Sequence, residues 1–152
     1  MTLARLLGQL SDIALNTGDP RGALSASEER LQICRQLYES GPTPDTRAEL
    51  VNALNENSFY LLFNRRAEEA ADRAQEGLAL DRSAIWIETN RAHAYLFIGK
   101  VDEAKAIYLE YKDKLVPGGR TFAKAVTDDF EMFRKNGIDI PAMREIEALL
   151  SA

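Results

Sequence analysis

The side chains best suited to chemistry in this chain are few and scattered. His93 is the single histidine and Cys34 the single cysteine. An imidazole titrates near neutrality and can act as a general base. Spacing alone brings no serine or cysteine beside it, so His93 is expected at a groove or surface position. One histidine also argues against a transition-metal site, which needs several nitrogen or sulfur ligands. Asp128, Asp129 and Glu131 form an acidic cluster. Paired carboxylates can do acid–base work, but adjacent ones on a helix diverge around its axis. The cluster therefore reads first as a solvated face and second as an attractor of a basic partner segment. Gly118-Gly119 precedes a helix without the GxxxxGK[ST] or dinucleotide patterns that cradle phosphates. Arg65-Arg66 is a two-residue basic spot at a turn. No catalytic residue, metal or cofactor is expected, and the chain is not read as an enzyme. A stand-alone hydrolase would need a nucleophile within reach of His93.

Composition narrows the class further. The 152 residues suffice for one domain. Only 9 glycines and 5 prolines are present, which leaves little room for a loop-rich β architecture. Ala, Leu, Glu and Arg, all good helix formers, dominate. Net charge is −5, against the basic balance of a non-specific nucleic-acid binder and against anionic membranes. No long apolar run reads as a membrane span or secretory leader. A lone cysteine cannot form an internal disulfide and fits a reducing, cytoplasmic setting.

The pattern reads as helices throughout, with strand content near zero. Helix 1 is expected over Leu3–Asn16, stopped at Thr17-Gly18-Asp19-Pro20. Helix 2 extends to about Glu39, burying Leu24, Leu31, Cys34 and Leu37. Helix 3 runs from Pro44 or Asp45 to about Phe63, with Thr46 and Glu49 at capping-box spacing. Helix 4 covers about Ala67–Leu80. Ser83 is the expected N-cap of helix 5, which spans about Ala84–Ile98. Helix 6 runs from Val101 or Asp102 to about Leu115. Thr121 caps helix 7, which ends near Lys135, and helix 8 begins at Pro141 with Met143, Ile146, Leu149 and Leu150 on one side.

Two stretches, Arg65–Ala70 and Gly99–Ala104, overlay on one another with their closing alanines 34 residues apart. That period suits a helix–turn–helix unit that stacks on its neighbours because it cannot bury its apolar face alone. Ala23, Ala70 and Ala104 fall near the start of each second helix. Ser11, Ser58 and Ala92 lie twelve residues earlier, on the facing first helix. Small residues at both points let the two axes approach.

On these residues the chain resembles the tetratricopeptide repeat family. Ser11, Gly18 and Ala23 carry the match in the first unit. Ser58, Leu61, Ala70, Leu78 and Leu80 carry it in the second, and Ala92, Tyr95, Gly99 and Ala104 in the third. Arg82 and Val116 replace the proline that often ends a unit, and Arg65 replaces the turn glycine. The first unit is 13 residues longer than the period, similar to kinesin-light-chain-like variants. The resemblance implies an all-α fold, an α-α superhelix or solenoid of antiparallel helix pairs. Its expected units are about 3–40, 44–81 and 84–115 within 1–116, and 117–152 supplies capping helices.

In that family the first helices line a concave groove for extended peptides or helices. Counting back from the alanines places Arg5, Asp12 and Asn16 on it in unit one. Unit two contributes Asn52, Asn55, Phe59, Leu62 and Phe63, and unit three Trp86, Thr89, Asn90, His93 and Phe97. Aromatic anchors beside amides suit capture of a peptide or helix. The competing reading of Phe59, Phe63 and Phe97 is packing, including against C-terminal helices folded into the groove. Trp86 could equally pack on the preceding unit. A cationic clamp for chaperone tails is missing, because its places hold Gly8, Asp12, Asn55, Phe59, Trp86 and Asn90. The expected function is a protein–protein interaction scaffold or adaptor, the terminal part of a larger bacterial-type protein. Its partner is a protein or peptide, not nucleic acid or membrane, with self-association through array ends as a further option. The alternative is a regulatory or sensor module that binds a small ligand or peptide and controls a linked catalytic domain.

Overall fold

Eight helices account for most of the computed structural model, which describes residues 2–152; Met1, the first residue of the segment read as lacking a leader, lies outside them. They are α1 (Leu3–Asn16), α2 (Pro20–Ser40), α3 (Pro44–Phe63), α4 (Ala67–Leu80), α5 (Ile87–Phe97), α6 (Val101–Tyr111), α7 (Phe122–Lys135) and α8 (Pro141–Ser151). The protein is all-α, and its helices pack mostly in sequence as antiparallel pairs, each on the next through α6. The last two fold back, α7 against α5 and α6, and α8 against α6 and α7. No helix among the described residues is long and apolar enough to cross a membrane.

Local chemistry explains most boundaries. Thr2, Asp19 and Thr121 accept backbone N–H bonds at the starts of α1, α2 and α7. One capping assignment and two boundaries depart from the sequence reading. Thr46 does not open a capping box with Glu49; it is the third-position partner of Thr43, and the two exchange side-chain and backbone bonds. Ser83 does not cap α5. Asp81 takes both its N–H and its hydroxyl, which holds 82–86 in turns and delays α5 to Ile87. Finally α6 ends at Tyr111 rather than Leu115. Residues 112–121 form a loop closed by a short antiparallel bridge between Leu115 and Thr121 and by Phe122 donating to the Lys114 carbonyl at 2.7 Å.

Four hairpin turns, α1–α2, α3–α4, α5–α6 and α7–α8, share one geometry. In each, the residue after the C-cap has positive φ: Gly18 at 80°, Arg65 at 60°, Gly99 at 86° and Gly137 at 81°. Its N–H and the next one reach back to carbonyls of the last turn, as with Arg65 to Leu62 and Arg66 to Leu61. Arg65 is the one non-glycine residue among the described residues with positive φ. It holds a conformation that costs an L-residue about 1 kcal/mol.

Beyond the turns the helices meet at small residues. Ser11, Ala23, Ser58, Ala70, Ala92 and Ala104 are all fully buried. In the α3–α4 pair the contact is direct, Ser58 Oγ donating to the Ala70 carbonyl at 2.7 Å. Ser11 instead bonds within its own helix, to the Leu7 carbonyl.

The C-terminal pair is pinned by Phe130, Phe133, Met143 and Ile146, all fully buried. Arg134 adds a two-pronged ion pair to Glu147, at 3.0 and 2.5 Å, and a third contact to Asp139 at 3.3 Å.

Replacing Arg65 by glycine should raise stability by about 1 kcal/mol, a melting-temperature gain of ~2–4 °C. The side chain forfeits only an exposed contact to the Gly137 carbonyl at 3.4 Å. Thermal unfolding checks this, and a fall in Tm would show that the side-chain contact outweighs the backbone strain. Acid should loosen the C-terminal pair. The Arg134 guanidinium holds the Glu147 carboxyl below its ordinary value of 4.5. A depressed carboxylate stabilises fully above its unfolded pKa and stops doing so as pH falls through the folded one. Glu147→Gln should therefore flatten the decline in stability below pH about 4.5, as measured by urea unfolding across the acid range; an unchanged slope would contradict it.

Candidate functional site

α7 lies across the side of the molecule formed by α3 and α5, and His93 is the residue that ties it there. His93 is completely buried, not at a groove edge or surface. Its Nε2 meets Asp129 Oδ2 of α7 at 2.9 Å, and its Nδ1 meets the Tyr108 hydroxyl of α6 at 2.7 Å. An ionised carboxylate can only accept, so Nε2 carries a proton and donates to Asp129. Burial, reinforced by the Asp129 charge, keeps the Tyr108 phenol well above its ordinary value, so its hydroxyl keeps its proton beside Nδ1. One ring thus joins three helices.

An aromatic set packs around this bond. Phe133 of α7 stacks against Phe63 at 4.7 Å, Phe97 at 5.0 Å, His93 at 5.3 Å and Phe59 at 6.0 Å between ring centres. Phe63 and His93 are buried by it, and Phe97 half-buried. Of the residues expected on an open groove, Phe63, His93 and Phe97 are therefore core residues beneath α7. Leu62 is also core, and Asn52 and Arg5 are exposed away from the site.

Beside α7 a cavity of about 400 Å³ remains. Asp12, Leu15 and Asn16 come from the end of α1. Asn55, Glu56, Phe59 and Tyr60 come from one turn and a half of α3. Trp86, Thr89 and Asn90 come from the start of α5. The 112–121 loop supplies Val116, Pro117 and Arg120, and α7 supplies Ala125, Asp129 and Met132. The cavity thus keeps Asn55, Phe59, Trp86 and Asn90 from the expected groove set, with Asp12, Asn16 and Thr89.

Its walls are polar as well as aromatic. Tyr60 donates to Asp12 across the α1–α3 gap. Burial, together with that carboxylate, keeps the Tyr60 phenol far above its ordinary range. Behind Glu56 lies Arg30, 7% exposed, paired to Glu56 at 2.5 Å and to Glu49 at 3.5 Å. Gly8 of α1 lies against that guanidinium, which passes at ordinary contact distance, about 3.5 Å, from where a Cβ would stand. Burial pushes the Glu56 carboxyl up, against the opposing pull of Arg30. Asn90 donates to the Asn55 backbone carbonyl at 3.2 Å and to its side-chain oxygen at 2.8 Å.

The acidic cluster separates as helix geometry requires. Asp128 faces outward between Lys124 at 2.5 Å and Arg120 at 2.6 Å, and these cations hold its carboxyl below the ordinary range. Asp129 faces inward to His93, and Glu131 is exposed. Cys34 is buried among Ala4, Leu31, Leu50 and Leu54, in a core apart from His93, where burial raises its thiol pKa. Glu56, Tyr60 and Arg120 escaped the sequence reading. Glu56 and Tyr60 sit one residue past expected groove positions, and Arg120 belongs to a stretch whose path periodicity does not encode. No His, Cys, Asp or Glu cluster suited to a metal occurs among the described residues.

His93→Ala should cost about 3 kcal/mol, by opening a void and stranding the Tyr108 hydroxyl. His93→Phe restores volume but not the bonds and should still cost about 1–3 kcal/mol. Urea unfolding followed by circular dichroism measures both; a change under about 0.5 kcal/mol for His93→Ala would refute the pinning role.

No family model, curated protein or solved structure matches this chain. Its function has to be read from the geometry of the cavity.

Proposed function

We propose that this chain is a tetratricopeptide-like array of three helix pairs with two capping helices, and that it binds a short segment of a partner protein. The repeated turn geometry at Gly18, Arg65 and Gly99 and the six small crossing residues support the repeat reading. The observation that carries the binding reading is the origin of the cavity walls: the first helix of each of the three pairs contributes, α1 through Asp12 and Asn16, α3 through Asn55 and Phe59, α5 through Trp86 and Asn90. A site assembled from successive first helices is where such an array meets an extended peptide. The role is that of a scaffold or adaptor, with cytoplasmic placement resting on the lone thiol.

The occupant is small in cross-section. Because α7 covers the Phe63–Phe97 end, a long helix has no continuous trough, and about 400 Å³ accommodates a few side chains. The same closure on one side favours a second reading, a regulatory module with a small ligand, since ligand pockets run from about 300 to 1,000 Å³.

Selection of peptides from a random displayed library against the purified protein tests the first reading. Selected peptides should lose about tenfold or more in affinity for Asn16→Trp, which fills the cavity mouth from an exposed helix end and should leave the fold intact. Peptides that bind this variant and the parent equally would place the site elsewhere.

A further inference from the structure

The hydrogen-bonding groups on the cavity wall are unbalanced, and the imbalance has a chemical sense. Three carboxylates reach it, Asp12, Glu56 and Asp129. Asp12 accepts from Tyr60 and Asp129 meets His93, while Glu56 is ion-paired with Arg30 and its Oε2 is buried without a hydrogen-bond partner in the chain; a carboxylate has about four acceptor sites. Arg120 is the one cationic side chain on the wall; it stands exposed at the rim and is paired with Asp128 at 2.6 Å. Arg30 lies behind Glu56 and divides its charge between Glu56 and Glu49.

A second observation is independent of charge. Asn90 is 3% exposed, and its Oδ1 is buried without a hydrogen-bond partner in the chain. The amide cannot be turned around to cure this. Its NH₂ faces the backbone carbonyl of Asn55 at 3.2 Å, which only a donor can satisfy. The open position on Asn90 is therefore an acceptor too, and a stranded buried acceptor costs about 1–3 kcal/mol unless a ligand donor fills it.

We propose that the cavity takes the guanidinium of an arginine side chain carried by the bound segment; this rests on the segment-binding reading above. A guanidinium offers five N–H donors in a plane and accepts nothing, which matches a wall of separated acceptors. It is weakly hydrated and stacks on aromatic faces, and the half-buried Phe59 and Trp86 stand on the cavity wall to supply them. Leu15 and Met132 give its aliphatic stem an apolar surface. The half-buried Glu56 carboxylate, ion-paired with an Arg30 that Glu49 shares, gains a second cation. A carboxylate-bearing segment would instead face three like charges.

Trp86 is the single tryptophan and stands on the cavity wall, so its fluorescence reports occupancy directly. The probes are a capped Ala-Ala-Arg-Ala-Ala peptide, the same peptide with neutral citrulline in place of arginine, and agmatine, which is the side chain without a peptide. At low ionic strength the arginine peptide should give a saturable change. The citrulline peptide should bind about tenfold or more weakly. Asp12→Asn, which removes a charge at an exposed position but can still accept from Tyr60, should weaken the arginine peptide by a similar factor. Equal affinity for the arginine and citrulline peptides, or no loss in Asp12→Asn, overturns the guanidinium assignment. Silence with all three probes overturns it as well. The displayed-library peptides then decide separately whether segment binding survives. Agmatine binding as tightly as the arginine peptide supports the guanidinium-binding cavity and overturns the segment as its source.

Discussion

The contact between α7 and the α3–α5 surface determines the rest of the molecule's usable surface. Phe133 brings apolar area to Phe63 and Phe97, and the His93–Asp129 bond adds direction to that burial. Apolar packing alone would let α7 slide, since dispersion and burial are nearly indifferent to register. A buried imidazole with one partner on each nitrogen is not indifferent. It must keep Tyr108 and Asp129 at bonding distance or leave polar groups stranded. The position of α7 is thereby pinned, and with it the wall that Ala125, Asp129 and Met132 give to the cavity.

The same part of the chain shows how one sequence feature divides into two roles. Asp128 and Asp129 are neighbours in sequence and diverge by about 100° around α7, one toward solvent and one toward His93. The outward carboxylate belongs to a solvated ion cluster, where pairs contribute little. The inward one orients a histidine and borders the cavity. A comparable division exists between Glu49 and Glu56, one turn apart twice over on α3. Both meet Arg30, but the Glu56 side chain is the more enclosed, 34% exposed against 48% for Glu49, and burial raises the Glu56 pKa. Polar groups near the cavity thus serve the fold with one atom and leave another facing the site.

The N-terminal end is built differently. Leu3, Leu6, Leu10 and Ile13 are exposed along one side of α1. Their spacing is that of one helix face. At the other end α8 covers the apolar surface of α6 and α7 with Met143 and Ile146, and keeps charges such as Arg144 and Glu145 outside. The two ends of the chain therefore present surfaces of opposite character.

Helix positions, turn positions and the small crossing residues were legible in the sequence because each depends on neighbours within about one turn. Gly18 and Gly99 stop helices through backbone freedom, and Ala70 and Ala104 mark close approach through the absence of a side chain. Even the departure at Arg65 was readable, since the place in the period demanded the turn whatever residue stood there. The errors were also local: Ser83 lost its capping role to Asp81, and α6 stopped short of Leu115. The cavity was not legible in this way. Asn55, Phe59, Trp86 and Asn90 could be placed on one side of the molecule by counting, as could Phe63, His93 and Phe97. Which of them stay open depends on a bond between residues 36 positions apart and on the path of the 112–121 loop, which sends α7 back over α5. Helical periodicity assigns a residue to a face. Only the folded chain decides what lies against that face, because long-range packing is chosen by the combined fit of many side chains and not by any one repeat.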